Sequence, residues 1–152
     1  MSSDLPRTTS LPFIRLLNEA FDAFSSELYR RAHAAGYTDI RPGHGCVFGN
    51  VDPDGSRLTE IAERAFMTKQ SVGEVATDLE RLGYVERVPD PTDGRAKIIR
   101  LTDRGREAQA VGRRLIDEIE CEWGERFGAD RIAAIREVFE AIDANRTGAL
   151  VV

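Results

Sequence analysis

The chain has 152 residues, 41% hydrophobic and 31% charged, with a formal net charge of −5. That apolar share supports one packed core and excludes a disordered chain, and no apolar run approaches the roughly 18–20 residues of a membrane span. The polar start, Met1 to Ser10, lacks the apolar stretch of a secretory signal, so a cytoplasmic protein with no membrane partner is expected.

Residues 11–35 read as one long helix, because Phe13, Leu16, Leu17, Ala20, Phe21, Phe24 and Leu28 recur at spacings of three and four. Ser10 is expected to cap it, Pro12 suits its first turn and Gly36 suits the position after its end. About 25 residues at 1.5 Å each span roughly 37 Å, more than a small domain needs for its own core. Residues 41–49 carry Pro42, Gly43, Gly45 and Gly49 and predict at most a short helical segment, and NVDPDGS (50–56) reads as a turn.

The next block, LTEIAERAFMTKQSVGEVATDLERLGYV, is the most informative. Thr59 is expected to cap a short helix burying Ile61, Ala62 and Ala65, with Phe66 and Met67 in a turn. Thr68 then caps a second helix with Val72, Val75, Ala76, Leu79 and Leu82 on one stripe, and Gly83 ends it. Two short helices joined by a tight turn form a helix-turn-helix. Two β-prone runs follow, Tyr84–Val88 and Ala96–Leu101, with Asp93-Gly94 as the turn signal between them, predicting a hairpin wing. Thr102 is expected to cap a helix over about 103–127. After Gly128, Asp130 caps a last helix to about Asn145.

The fold expected is mainly α: a winged helix-turn-helix with a small β-hairpin wing and long N- and C-terminal dimerisation helices. It reads as one domain, 1–152. Within it, 11–50 supplies N-terminal dimerisation helices, 57–102 the DNA-binding lobe and 103–145 the C-terminal dimerisation helices.

The acidic total hides an uneven distribution. Residues 1–63 carry 6 basic and 9 acidic groups, and 107–152 carry 6 and 10, whereas 64–106 carry 9 and 7. A phosphate backbone responds to such a local basic surface rather than to net charge. The apolar stripe of the helix after Thr68 leaves Lys69, Gln70, Gly73, Glu74, Thr77 and Arg81 on the other face. In a major groove, Gln70 can bond adenine bidentately and Glu74 can accept from cytosine. Thr68, Lys69 and Ser71 are placed for phosphates at the helix start, and Gly73 would permit close approach. On the wing, Arg95 near the tip suits the minor groove, with Asp93 expected to hold its guanidinium, and Arg87 and Lys97 flank it. The plain alternative is a solvated helix face and an incidental surface ion pair.

The run DPTDGRAKIIRLTDRG resembles the wing signature of the multiple antibiotic resistance regulator (MarR) family, an acidic residue and arginine, a strand, then Leu-Thr opening a long helix. Here these are Asp93, Arg95, Leu101 and Thr102. The upstream helix-turn-helix and the order of six elements are similar to the same family. The resemblance implies a homodimer built from the terminal helices, and a repressor released from double-stranded DNA by a small aromatic or metabolite effector. It also implies a pocket between the first, second and fifth helices, for which Phe24, His44 and Phe48 are candidate lining residues. Two positions depart from the family pattern. Glu74 and Gly94 stand where a basic residue is frequent, which bears on affinity and operator choice.

No catalytic activity, cofactor or metal is expected. His33 and His44 have no nucleophile in a recognisable motif, and Cys46 and Cys121, far apart, give no zinc spacing. The acidic stretch DEIECEWGE (117–125) reads as a solvated helix face. The rival reading from another class is a winged-helix module that pairs protein chains and never touches DNA, which Glu74 suits better.

Overall fold

The computed structural model describes residues 11–149. Helix α1 (Phe13–Ala34) begins after Pro12 with no side-chain cap; the expected cap, Ser10, lies outside the described residues. Gly36 follows the helix at φ +103°, a left-handed conformation that favours glycine. The C-terminal half of α1 is fastened to the long fifth helix by Arg31, which donates to Glu122 at 2.6 and 2.9 Å and to Glu27 at 2.6 Å. The N-terminal half is bare, with Phe13 and Phe21 each 75% exposed.

A 3₁₀ turn, Pro42–His44, runs directly into the short helix α2 (Gly45–Phe48). Strand β1 (Ser56–Arg57) stands where the sequence showed only a turn cluster; it pairs with the later strand β3 (Asp93–Leu101) through Ser56↔Ile99 and Arg57↔Ile98. Two residues carry no alternation of their own, so this strand exists only because β3 offers an open edge.

Helix α3 (Leu58–Ala65) starts differently from expectation. Its cap is Arg57 rather than Thr59, because Glu60 reaches back and accepts from the Arg57 backbone N–H at 2.8 Å. Phe66 ends it in the left-handed region at φ +53°, beneath the Arg146 guanidinium, 3.5 Å from the ring centroid. Helix α4 (Lys69–Arg81) is capped by Thr68, whose hydroxyl accepts from Ser71 N–H at 3.1 Å, as the spacing predicts.

Strands β2 (Val85–Asp90) and β3 (Asp93–Leu101) complete a sheet of order β1-β3-β2. The hairpin turns at Pro91-Thr92, two residues before the expected Asp93-Gly94. Asp90 causes the shift: its carboxylate accepts from the Thr92 N–H at 2.9 Å and hydroxyl at 2.8 Å, closing the turn early.

Helix α5 (Asp103–Phe127) is capped by Thr102, and α6 (Ala129–Ala149) runs four residues past the expected Asn145. The core lies between the helix-turn-helix and the sheet, where Val47, Ile61, Val72, Ala76, Leu79 and Ile99 meet the buried Tyr84. The Tyr84 hydroxyl donates to Asp39 at 2.5 Å and the Arg104 guanidinium lies 4.2 Å from its ring centroid. Burial, then the Asp39 carboxylate, push that hydroxyl up to about 12. The start of α5 presses on this tyrosine, and a Cβ on Gly105 would overlap the Tyr84 carbonyl oxygen. By contrast α6 leaves Ile135, Val138, Phe139 and Ile142 about half exposed, on a helix with no buried residue among those described.

Candidate nucleic-acid interface

Helix α4 buries Val72, Ala76 and Leu79, which turns Lys69, Gln70, Glu74, Thr77 and Arg81 to the surface. Among the described residues of the helix-turn-helix and wing, Lys69, Arg95 and Lys97 are exposed cations without a carboxylate partner. Arg57, Arg64, Arg81, Arg87, Arg100 and Arg104 around them each have one. Unpaired cations on a projecting surface are free to exchange water and counterions for phosphate.

The wing is built to project Arg95. Across the hairpin Pro89 pairs with Lys97 but Asp90 pairs with Asp93, so residues 94–96 have no partner and bulge outward. Asp93 does not hold the Arg95 guanidinium as the sequence led us to expect. Its carboxylate accepts from the Arg95 backbone N–H at 3.1 Å, shaping the bulge and leaving the side chain free. The base of this tip is clamped by Asp90, which accepts from Arg57 Nε at 2.7 Å. The Thr92 bonds, and then Arg57, hold the Asp90 carboxyl at about 2.

Four other expected contacts are corrected. Arg87 is not free on the outgoing strand, since it donates to Thr77 at 3.1 Å and to Glu80 at 3.5 Å and so ties wing to helix. Thr77 is engaged twice, because it also donates to the Gly73 carbonyl at 2.9 Å. Gly73 is half-buried and faces α3, where an added Cβ would meet Leu58 at 3.4 Å, so it lies against a neighbouring helix rather than open to a DNA surface. The Ser71 hydroxyl accepts from Thr68 at 2.8 Å and closes the helix start rather than pointing away from it.

A cluster that the sequence did not reveal lies beside Glu74. Asp78 accepts from Arg41 at 2.5 Å, from Arg81 at 2.7 Å and from His44 at 2.8 Å. Its carboxyl is held well below the ordinary range, by Arg81 first, then His44 and Arg41. Residues 34 and 37 positions apart in sequence carry no local signal of this meeting. The remaining clue was the polarity of position 78 beside the apolar stripe.

The second feature is a cavity of about 730 Å³ between α1, α2 and α5, walled by Phe24, Tyr29, Cys46, Phe48, Gln109 and Arg113 among others. Phe24 and Phe48 stand in its wall as expected. His44 does not. It is 3% exposed and turned the other way, toward α4, because both ring nitrogens are taken by Arg41 and Asp78. Tyr29 donates to the Pro42 carbonyl at 3.0 Å, and Gly45 passes so close that a Cβ there would fall 2.8 Å from the Tyr29 hydroxyl. Gln109 spans the floor by donating to the Phe48 carbonyl at 2.7 Å. Cys46 is half-buried and burial pushes its thiol up, away from the reactive thiolate.

His33 contacts the Ile40 carbonyl at 2.7 Å, and Glu120 and Glu122 in the acidic stretch are paired with Arg136 and Arg31. Among the described residues no group of three or more His, Cys, Asp or Glu is placed to hold a metal, and no helix is long and apolar enough to cross a membrane.

Comparison with known proteins gives a consistent picture. A sequence model of the MarR family matches residues 42–96. No curated protein matches the chain. Among solved structures, the chain is similar to the transcriptional repressor CouR bound to a 23-mer DNA duplex, with TM-score 0.72 and 23% identity over 93% of this chain and 99% of that one. It is similar to CouR from Rhodococcus jostii RHA1 bound to p-coumaroyl-CoA, with TM-score 0.68 and 20% identity over 84% and 89%. It is also similar to wild-type MarR of E. coli in its apo form, with TM-score 0.66 and 18% identity over 88% and 98%. Residues 42–96 match the MarR family model, and the chain as a whole shares the fold of solved transcription regulators of that family.

Proposed function

We propose that the chain is a sequence-specific, double-stranded-DNA-binding transcription regulator, acting in the cytoplasm as a homodimeric, ligand-responsive repressor on a pseudo-palindromic operator. It works by binding and performs no catalysis. One observation carries this reading: the unpaired cations Lys69, Arg95 and Lys97 sit on the start of α4 and on a bulged wing tip, beside the exposed polar side chain of Gln70. A module that only pairs protein chains has no need of projecting cations without partners. The DNA-bound state of the similar CouR supports the same choice.

Dimerisation is inferred from the bare apolar faces of α1 and α6, which water contacts in a single chain. Ligand response is inferred from the cavity, whose size suits a small aromatic molecule with an extended substituent. The CouR structure with p-coumaroyl-CoA supports an effector of that kind. A ligand that prefers the DNA-incompetent arrangement lowers DNA affinity by its differential binding.

Selection of genomic fragments by the purified protein tests the whole reading. The expected product is a pseudo-palindrome with half-sites about 10 bp apart, bound with steep salt dependence. Recovery of no preferred sequence at low salt favours the protein-pairing module. A panel of aromatic acids and their thioesters, read by melting temperature and DNA release, tests the ligand response; no effect from any member removes that part.

A further inference from the structure

We propose that Arg41 and Arg81, aimed by Asp78, form a second phosphate clamp on the flank of α4 opposite the wing, and that the buried His44 is its positioning residue. This rests on the DNA-binding reading above and adds a contact surface to it.

The geometry begins with the turn of the helix. At about 100° per residue, Gln70, Glu74 and Arg81 fall in the arc between Thr77 and Asp78. Thr77 marks one edge of that face, where Arg87 ties in the wing. Asp78 marks the other edge, where Arg41 arrives from the turn before α2. A helix lying in a major groove has a phosphate backbone along each flank, and contacts on both sides set its register. The wing supplies cations on the first side; on the second, Arg41 presents a side chain 66% exposed, and Arg81, 68% exposed, reaches across from between the two edges to Asp78.

Asp78 partly offsets their charge, yet two guanidiniums face one carboxylate, so the group stays cationic. The carboxylate also removes the freedom of two long side chains, holding each head at the rim of the reading face. A loose surface pair would leave this arrangement weak. Here it has a rigid anchor. His44 is 3% exposed, and its Nδ1 accepts from the Arg41 backbone N–H at 3.0 Å. That bond places the proton on Nε2, which donates to Asp78 Oδ2 at 2.8 Å. One ring therefore fixes the backbone that carries Arg41 and the carboxylate that aims both arginines.

The test uses the full chain and a random-sequence 25-bp duplex, because phosphate contacts do not depend on sequence. Affinity is measured from low to moderate salt. Arg41→Ala and Arg81→Ala are each expected to weaken binding alike on random and selected duplexes. Each should also lower the slope of log K against log salt by about 0.9 for every phosphate left without its cation. Arg15→Ala, in the remote first turns of α1, should match wild type. His44→Gln can keep the bond to the Arg41 N–H, as glutamine does at that position of a capping box, but it no longer reaches Asp78. It should lower the salt slope in the same direction while melting close to wild type, a readout that loss of folding alone does not produce.

If Arg41→Ala and Arg81→Ala keep the wild-type slope while Lys69→Ala and Arg95→Ala lower it, the clamp is overturned and the DNA reading stands. An unchanged slope in His44→Gln overturns the positioning role. A wild-type chain that binds no duplex at low salt defeats both the clamp and the function it extends.

Discussion

Asp90 sits at the base of the wing with its carboxylate enclosed by Thr92 and Arg57, and its charge holds the tip that carries Arg95. Its folded pKa, about 2, lies below the ordinary 3.8. The stabilisation is therefore complete above about pH 4 and is lost as pH falls through 2. Asp90→Asn should melt below wild type at about pH 6, and the gap should close between about pH 4 and pH 2. A gap that stays constant across that range rules out the carboxylate as its source. Three side chains of the proposed interface should separate in DNA assays. Arg95→Ala should lower affinity and flatten preference for A·T-rich flanks, since a minor-groove cation reads width. Gln70→Ala should relax choice at one position per half-site, costing about 1–3 kcal/mol there. Glu74→Gln should raise affinity for non-specific duplex by removing a charge that repels phosphate. Equal effects of Arg95→Ala and Gln70→Ala at every base position would contradict this division of roles.

Helix α5 combines close packing at its start with open space two turns further on. At its start, Gly105 meets the backbone of Tyr84, and an added Cβ would overlap that carbonyl. Neither the tyrosine, buried among core residues and bonded to Asp39, nor the strand behind it can yield easily. Gly105→Ala should cost about 1–3 kcal/mol or more, the range for overpacked sites, and lower the melting temperature accordingly. Two turns later Gly112 borders the cavity, and an added Cβ meets nothing within 4 Å. There Gly112→Ala should stabilise by up to about 1 kcal/mol through helix propensity. Opposite signs for these two substitutions in one helix are the expected outcome; matching signs would show that the packing at Gly105 relaxes. Both glycines lie in a helical pattern, and sequence alone offered no means of telling them apart.

At the scale of the molecule the main imbalance is apolar. Phe13, Ile14, Phe21, Val138, Phe139 and Ile142 are exposed on the two terminal helices, while in the winged-helix lobe the exposed large apolar side chains among the described residues are Phe66 and Met67, at the turn between α3 and α4. Leaving one such side chain in water forgoes roughly 1.5–3 kcal/mol, so several together favour an isologous partner. Sedimentation equilibrium should find a dimer at micromolar concentration. Phe139→Asp, half exposed and outside the core of a single chain, should shift the chain toward monomer without unfolding the lobe. A wild-type monomer at that concentration would refute the dimer.

Most of the element order was legible in the sequence because it is encoded locally. Thr68 and Thr102 precede helices whose N–H groups their hydroxyls can reach, Gly36 and Gly83 follow helices at positive φ, and the apolar stripe of α4 repeats every three to four residues. Local interactions reach only a few residues, and a single sequence displays them. The family resemblance of the wing is of the same kind. What depended on tertiary structure was the assignment of partners. Whether Arg87 faces DNA or Glu80, whether His44 lines a cavity or anchors Asp78, and whether Gly73 meets solvent or Leu58 are decided by the packing of separate elements. Strand β1 and the cavity exist only once β3, α1, α2 and α5 are assembled. Charge and polarity mark a residue as available for binding, but only the packed fold determines which charges have already been neutralised and which remain free.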